Sequence, residues 1–185
     1  QLRKTPEEHI SDVKEVIRLA SEMGIRMNIY FEDWSNGMRN SPEYMYQVLD
    51  ALKDESIERF MLPDTLGILN QQETYDFCLD MLTRYPELKF DFHAHNDYDL
   101  ATANAFSAIK AGITGIHTTL NGLGERAGNV PLSSVIGVVK DHFKYDMSVR
   151  EDRLYHASKM LESFSGIRIP ANKPLIGENV FTQTS

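Results

Sequence analysis

His93 and His95 stand two residues apart at the end of the run Lys89-Phe90-Asp91-Phe92. Side chains two apart on a strand point the same way, so both imidazoles can project into one open site. Two neutral imidazoles held together suit a divalent transition metal that also takes carboxylate or carbonyl oxygen. Further on, Asn121-Gly122-Leu123-Gly124-Glu125-Arg126-Ala127-Gly128-Asn129 follows an apolar strand and precedes a helix start. Its glycines permit positive φ and close backbone approach, as a ligand-binding turn needs. The spacing G-x-G-x-x-x-G is not the dinucleotide fingerprint, and the lysine of a phosphate loop is absent. A His-x-His pair alone says little; joined to His95-Asn96-Asp97 and this turn, it becomes a specific signal.

Other residues gather near the same chemistry. Asp97 is placed to orient a metal-bound histidine from behind, as such imidazoles usually require, or to cap the helix that follows. Glu125 would lie beside the metal and hold a bound water or a histidine; otherwise it pairs with Arg126. Tyr30 points the same way as Glu32, and would narrow a pocket for a small acid or fill the interior of a barrel. Trp34 reads as a loop aromatic, lining the site or buried. His117 lies inside a strand and reads as a core histidine. His9, His142 and His156 fall on helices and read as solvated, and Cys78 as core.

The elements that must position these residues alternate. Thr5-Pro6-Glu7-Glu8 is a capping box with proline at the first helical position. Ile10, Val13, Ile17 and Ala20 follow at helical spacing, and Gly24 ends the helix. A strand is expected over 25–31, a helix from Ser41-Pro42, a strand over 57–62 and an exit loop at Pro63 to Gly67. Asn70 to Glu73 caps the next helix. Strand 89–92, helix 100–111, strand 113–120, the glycine turn and a helix after Pro131 complete the series. Ser148 to Glu151 caps one more helix, ending at Gly166. Strand and helix in turn are the rhythm of βαβ units and a parallel sheet. The chemistry falls after a strand's carboxyl end each time, at Glu32-Asp33, Asp64-Thr65, His93-x-His95 and Asn121 to Asn129. That is where (βα)8 barrels keep active sites, whereas doubly wound sheets use only a switch point. The expected fold is therefore α/β, the carboxyl-terminal half of a (βα)8 TIM barrel over 1–145. A post-barrel helix and an extended linker that leaves the barrel follow over 146–185.

The 185 residues fit one domain that buries about 70% of its unfolded surface. A net charge of −8 with no basic stripe argues against nucleic acid or an anionic membrane as partner. The single cysteine excludes an internal disulfide and fits a reducing cytosol, so a cytoplasmic location is expected. No apolar run approaches the roughly 18 residues of a membrane helix. The chain opens at Gln1 and stops at Phe181-Thr182-Gln183-Thr184-Ser185, which reads as a segment of a longer protein.

At His93-x-His95-Asn96-Asp97 and the glycine turn, the chain resembles the pyruvate-carboxylase-like metalloenzymes. These include 2-isopropylmalate, homocitrate and citramalate synthases, with hydroxymethylglutaryl-CoA lyase as a cousin. The resemblance implies a Claisen-type condensation of acetyl-CoA with a small 2-oxoacid, dependent on a divalent metal (Mn, Zn or Mg), in a homodimer. It puts Asn129 at or near the metal, as a ligand through its carbonyl oxygen or as the cap of the helix at Pro131. It makes Glu32 face the acyl donor for acid–base work or positioning. It gives Thr65 a hydrogen bond to the oxoacid carboxylate, with a plain turn residue as the alternative. The stretch Tyr30-Phe31-Glu32-Asp33-Trp34-Ser35-Asn36-Gly37 looks most like citramalate synthase, which takes pyruvate; 2-oxoisovalerate would instead give 2-isopropylmalate. The lyase carries a cysteine in the glycine loop where this chain has Glu125-Arg126, and aldolase relatives usually lack that glutamate. Carbon–carbon cleavage and a non-catalytic half-barrel are the competing readings. The family's Asp-Arg-x-Gly stretch, source of the third ligand and an oxoacid-binding arginine, is absent from these residues, and its proton-transfer histidine falls beyond Ser185. The 185 residues are thus expected to hold half a site and to be inactive alone.

Overall fold

A computed structural model describes residues 3–182; the expectations at Gln1 and at 183–185 lie outside them. Its sheet has four parallel strands in chain order: β1 (Met27–Tyr30), β2 (Ile57–Asp64), β3 (Phe90–Ala94) and β4 (Gly115–His117). Helices α1 (Pro6–Glu22), α3 (Pro42–Leu52), α4 (Gln71–Arg84), α5 (Ala101–Ala111) and α6 (Leu132–Val138) alternate with them. This is the α/β half-barrel expected from the alternation.

Local chemistry starts the helices. The Thr5 hydroxyl accepts from Glu8 N at 3.2 Å, and the Glu8 carboxylate accepts from Thr5 N at 2.8 Å. Asn70 and Glu73 repeat the box at α4, at 2.9 and 3.0 Å. One side of the sheet is apolar: Phe60, Leu62, Phe90, Phe92 and Ala94 pack on buried residues of the helices, among them Leu49, Leu52, Cys78, Met81 and Ala105. The opposite side carries Tyr30, Arg59, Asp91, His93 and His117, which touch one another across the strands. That period-two split puts the greasy face under the helices and the polar face toward the barrel interior.

Several boundaries differ from expectation. A further helix, α2 (Trp34–Asn40), stands where a loop was expected, begun by Asp33 at a left-handed φ of 59°. Trp34 is fully buried there, edge-on to Phe77 and Phe92 at 6.1 and 6.5 Å, so it is core and lines no site. Strand β2 runs on to Asp64 through the expected exit loop, and β4 keeps only three residues. Beyond β4 the chain turns to meet its own return, with Thr119 bridging Pro131. Ser148 caps nothing; a 3-10 turn at Glu151–Arg153 leads into α7 (Leu154–Ser165), which ends at Gly166 as expected. The segment after α7 does not leave the barrel. It folds back, burying Ile176 and laying Leu175 against Gly137 of α6. No helix among the described residues is long and apolar enough to cross a membrane.

Candidate functional site

Strand β3 delivers His93 at its end, and the glycine turn delivers Asn129. The turn is pinned by backbone bonds: Asn96 N to Gly128 O at 2.9 Å, Asn129 N to Gly122 O at 3.1 Å and Val130 N to Ala94 O at 3.2 Å. Gly122 and Gly128 take positive φ of 75° and 89°. Gly124 serves differently. A Cβ there would collide with the Asn129 amide, so only glycine lets that side chain lie inward, 6% exposed.

The outcome is a convergence. His93 Nε2 lies 3.4 Å from His95 Nε2, and Asn129 Nδ2 lies 3.3 Å from His93 Nε2 and 3.4 Å from His95 Nδ1. Turned end for end about its last torsion, the Asn129 amide presents its carbonyl oxygen to the two imidazoles. Burial, then the neighbouring His95 and His117, push the His93 imidazole down to about 4, which leaves its lone pair open to a cation at neutral pH. His93 Nδ1 is buried and finds no hydrogen-bond partner among the described residues. These groups fit part of a divalent-metal shell. Among the described residues no cluster of three His, Cys, Asp or Glu side chains could complete it.

Thr65 and Tyr30 stand at the carboxyl ends of β2 and β1. The Thr65 hydroxyl oxygen accepts from Asp33 N at 3.0 Å, tying the β1 exit to the β2 exit. The Tyr30 ring stands edge-on to His93 at 6.3 Å. Glu32 is exposed one residue beyond Phe31. Two expected residues are placed elsewhere. Asp97 faces Arg126, not a histidine, through bonds of 2.9 and 3.0 Å, and this guanidinium holds its carboxyl below the usual range. Glu125 has a side chain 82% exposed and lies 3.5 Å from Arg126, away from the imidazole pair.

The sequence reading missed Arg126 and the polar interior. Arg126 also donates to Thr65 O at 2.6 Å, so one side chain clamps the glycine turn to the loops after β2 and β3. His117, read as core, is half-exposed on the interior face and stands edge-on to His93 at 5.6 Å. Asp91 could have been found by the same period of two that picked out the histidines. His142 and His156 are exposed, as expected; His9 is half-buried against Tyr44, and Cys78 is buried, which raises its thiol.

A profile of the HMGL-like family matches residues 1–161. The chain belongs to the HMGL-like family. It is 36% identical over 186 residues to a Methanopyrus kandleri protein provisionally named (R)-citramalate synthase CimA, covering 100% of this chain and 36% of that one. It is 38% identical over 177 residues to the homocitrate synthase of Sulfurisphaera tokodaii, covering 96% and 38%. The chain thus spans little more than a third of these relatives. Among solved structures it resembles the HMG-CoA lyase of Bacillus subtilis, with a TM-score of 0.76 at 22% identity over 93% of this chain and 60% of that one. An HMG-CoA lyase from Acinetobacter baumannii, solved with coenzyme A and 3-methylmalate, gives 0.79 at 18% identity over 100% and 63%. At such identities these two establish the shared fold, here a part of the barrel.

Proposed function

We propose that this chain supplies the metal-binding half of a synthase that condenses acetyl-CoA with a 2-oxoacid, pyruvate giving citramalate. The observation that carries the reading is the cluster of His93, His95 and Asn129, each within about 3.4 Å of the next, with the Tyr30 ring beside His93. The sequence relatives named as citramalate and homocitrate synthases support condensation over cleavage, as does Glu125-Arg126 in the glycine turn. The same reading takes the full-length protein as a cytoplasmic homodimer.

His93, His95 and Asn129 would hold a divalent ion (Mn, Zn or Mg), which would supply Lewis-acid polarisation of the oxoacid carbonyl. The Thr65 hydroxyl already accepts a hydrogen from Asp33 N, so its own hydrogen is available to donate to the oxoacid carboxylate. Glu32, exposed at the mouth of β1, would take or hold a proton at the acetyl methyl carbon. Tyr30 limits the space beside His93 and so favours a small acid. Glu125 is assigned no step from its exposed position.

The test is thiol release from acetyl-CoA by the full-length protein with Mn²⁺ and a panel of 2-oxoacids. Release that depends on an oxoacid supports the reading, and pyruvate as the preferred acid supports citramalate. A metal-loaded protein that releases no thiol with any acid, but yields pyruvate or acetoacetate from a cleavable substrate, replaces condensation with lysis.

A further inference from the structure

Tyr30 and His117 lie on the two edge strands of the sheet, 87 residues apart, yet the Tyr30 hydroxyl sits 2.8 Å from His117 Nδ1. On the far side of the ring, His117 Nε2 lies 3.3 Å from Asp91 Oδ2. Asp91 is buried and its other oxygen accepts from Arg59 Nε at 2.7 Å. Arg59 in turn donates to the Thr114 hydroxyl at 3.2 Å. Four strands therefore share one polar chain across the barrel interior. Room for it is left at Gly115, where a Cβ would collide with the Asp91 carboxylate.

The direction of the hydrogens follows from chemistry. An ionised carboxylate only accepts, so His117 Nε2 must carry the hydrogen that faces Asp91. In the neutral ring Nδ1 is then an acceptor. The Tyr30 hydroxyl must donate to it. Burial, with Asp91 as a lesser cause, raises the Tyr30 phenol further above neutrality, which keeps that hydrogen in place. Its one hydrogen is thus committed, and Tyr30 has none to give to a substrate carboxylate. What it offers the site is a ring held still beside His93.

We propose that His117, backed by Asp91 and Arg59, is a positioning residue that fixes the Tyr30 ring as a wall of the 2-oxoacid pocket and so sets the largest acid accepted. This rests on the condensing reading above. A tyrosine half open to the interior would otherwise move among rotamers and widen the pocket for part of the time. The wall works by size, so its loosening should show as lost discrimination and leave metal binding alone.

The experiment compares kcat/KM for pyruvate and for 2-oxoisovalerate in the full-length Mn²⁺-loaded protein. Discrimination by hydrophobic size is typically worth about 10-fold or more. His117→Ala is expected to reduce the selectivity ratio by about tenfold, chiefly through a lower KM for the larger acid, with unchanged metal content. His117→Asn, whose amide can stand in for Nδ1 as acceptor, should recover much of it. Tyr30→Phe removes only the hydroxyl and should lose selectivity in the same sense, with no further loss in the double variant. A selectivity ratio within about twofold of wild type in His117→Ala overturns the inference and leaves the condensing function standing. If His117→Ala does not fold, unchanged selectivity in Tyr30→Phe overturns it equally. A wild-type protein that condenses no oxoacid overturns the functional reading, and this inference with it.

Discussion

Replacing Gly124 with alanine adds one carbon, and the structure says where the consequence falls. Gly124 does not need a left-handed backbone, so alanine meets no φ penalty there. The new Cβ would land on the Asn129 amide head, with the backbone N of Asn129 next nearest at 3.4 Å. The amide, not the turn, is the part that can give. Rotating it away removes the amide head from its 3.3 and 3.4 Å positions beside the two imidazoles, which leaves His93 and His95 alone. Losing a supporting group around a metal typically costs 10–100-fold in affinity, about 1.4–2.8 kcal/mol. Crowding the turn should cost about 1–3 kcal/mol of stability. The assay is a Mn²⁺ or Zn²⁺ titration of the full-length protein against a chromophoric chelator, with a urea melt of the metal-free form. Asn129→Ala should show a similar loss, and Gly124→Ala with Asn129→Ala should bind no worse than Asn129→Ala alone. Wild-type metal affinity in Gly124→Ala would refute the argument, and so would a further tenfold loss in the double variant.

Trp34→Ala should cost about 3–5 kcal/mol, because it empties a fully buried site between Phe77 and Phe92; an equilibrium urea melt checks this, and a loss below 1 kcal/mol would contradict the packing. In the metal-free protein, His93 is held down to about 4, so the folded form refuses a proton that the unfolded chain accepts below about 6.5. Stability is therefore full above pH 6.5 and falls as pH drops toward 4, by about 2 kcal/mol after discounting for partial exposure; His93→Gln should flatten that slope in urea midpoints taken at pH 7 and 4.5. Arg126→Ala cuts the bonds to Asp97 and Thr65 O together, and should raise the oxoacid KM several-fold while metal affinity changes less than it does in Gly124→Ala. The isolated 185-residue chain should show no oxoacid-dependent thiol release, and turnover by it would sink the half-site reading.

What the sequence made legible was local in origin. The boxes Thr5/Glu8 and Asn70/Glu73 are read within four residues, and both formed. The two histidines and the glycine turn were equally visible, since period two and a dense glycine motif need no knowledge of distant partners. Helix α2 was missed because it lacks a side-chain cap and is held by the burial of Trp34, a contact made with α4 and β3. Strand β4 was read too long because Thr119 leaves the sheet to bridge Pro131, which local apolarity does not reveal. His117 was taken for a core residue because its partners, Tyr30 and Asp91, come from other strands. Asp97 went to Arg126 for a similar reason: 29 residues separate them, and a fork of guanidinium nitrogens competes well for a carboxylate.

The glycine turn has one more tie. Asn121 Nδ2 donates to Ser158 O in α7 at 3.0 Å, a bond spanning 37 residues. A chain made from its amino end holds both histidines and Asn129 before it holds Ser158. On the ribosome, the pair and the turn's own bonds therefore emerge ahead of the helix that adds this last tie. An ion captured then would meet a turn already held by its bonds to Ala94 and Asn96 and by the Arg126 clamp, and lacking only the tie to α7.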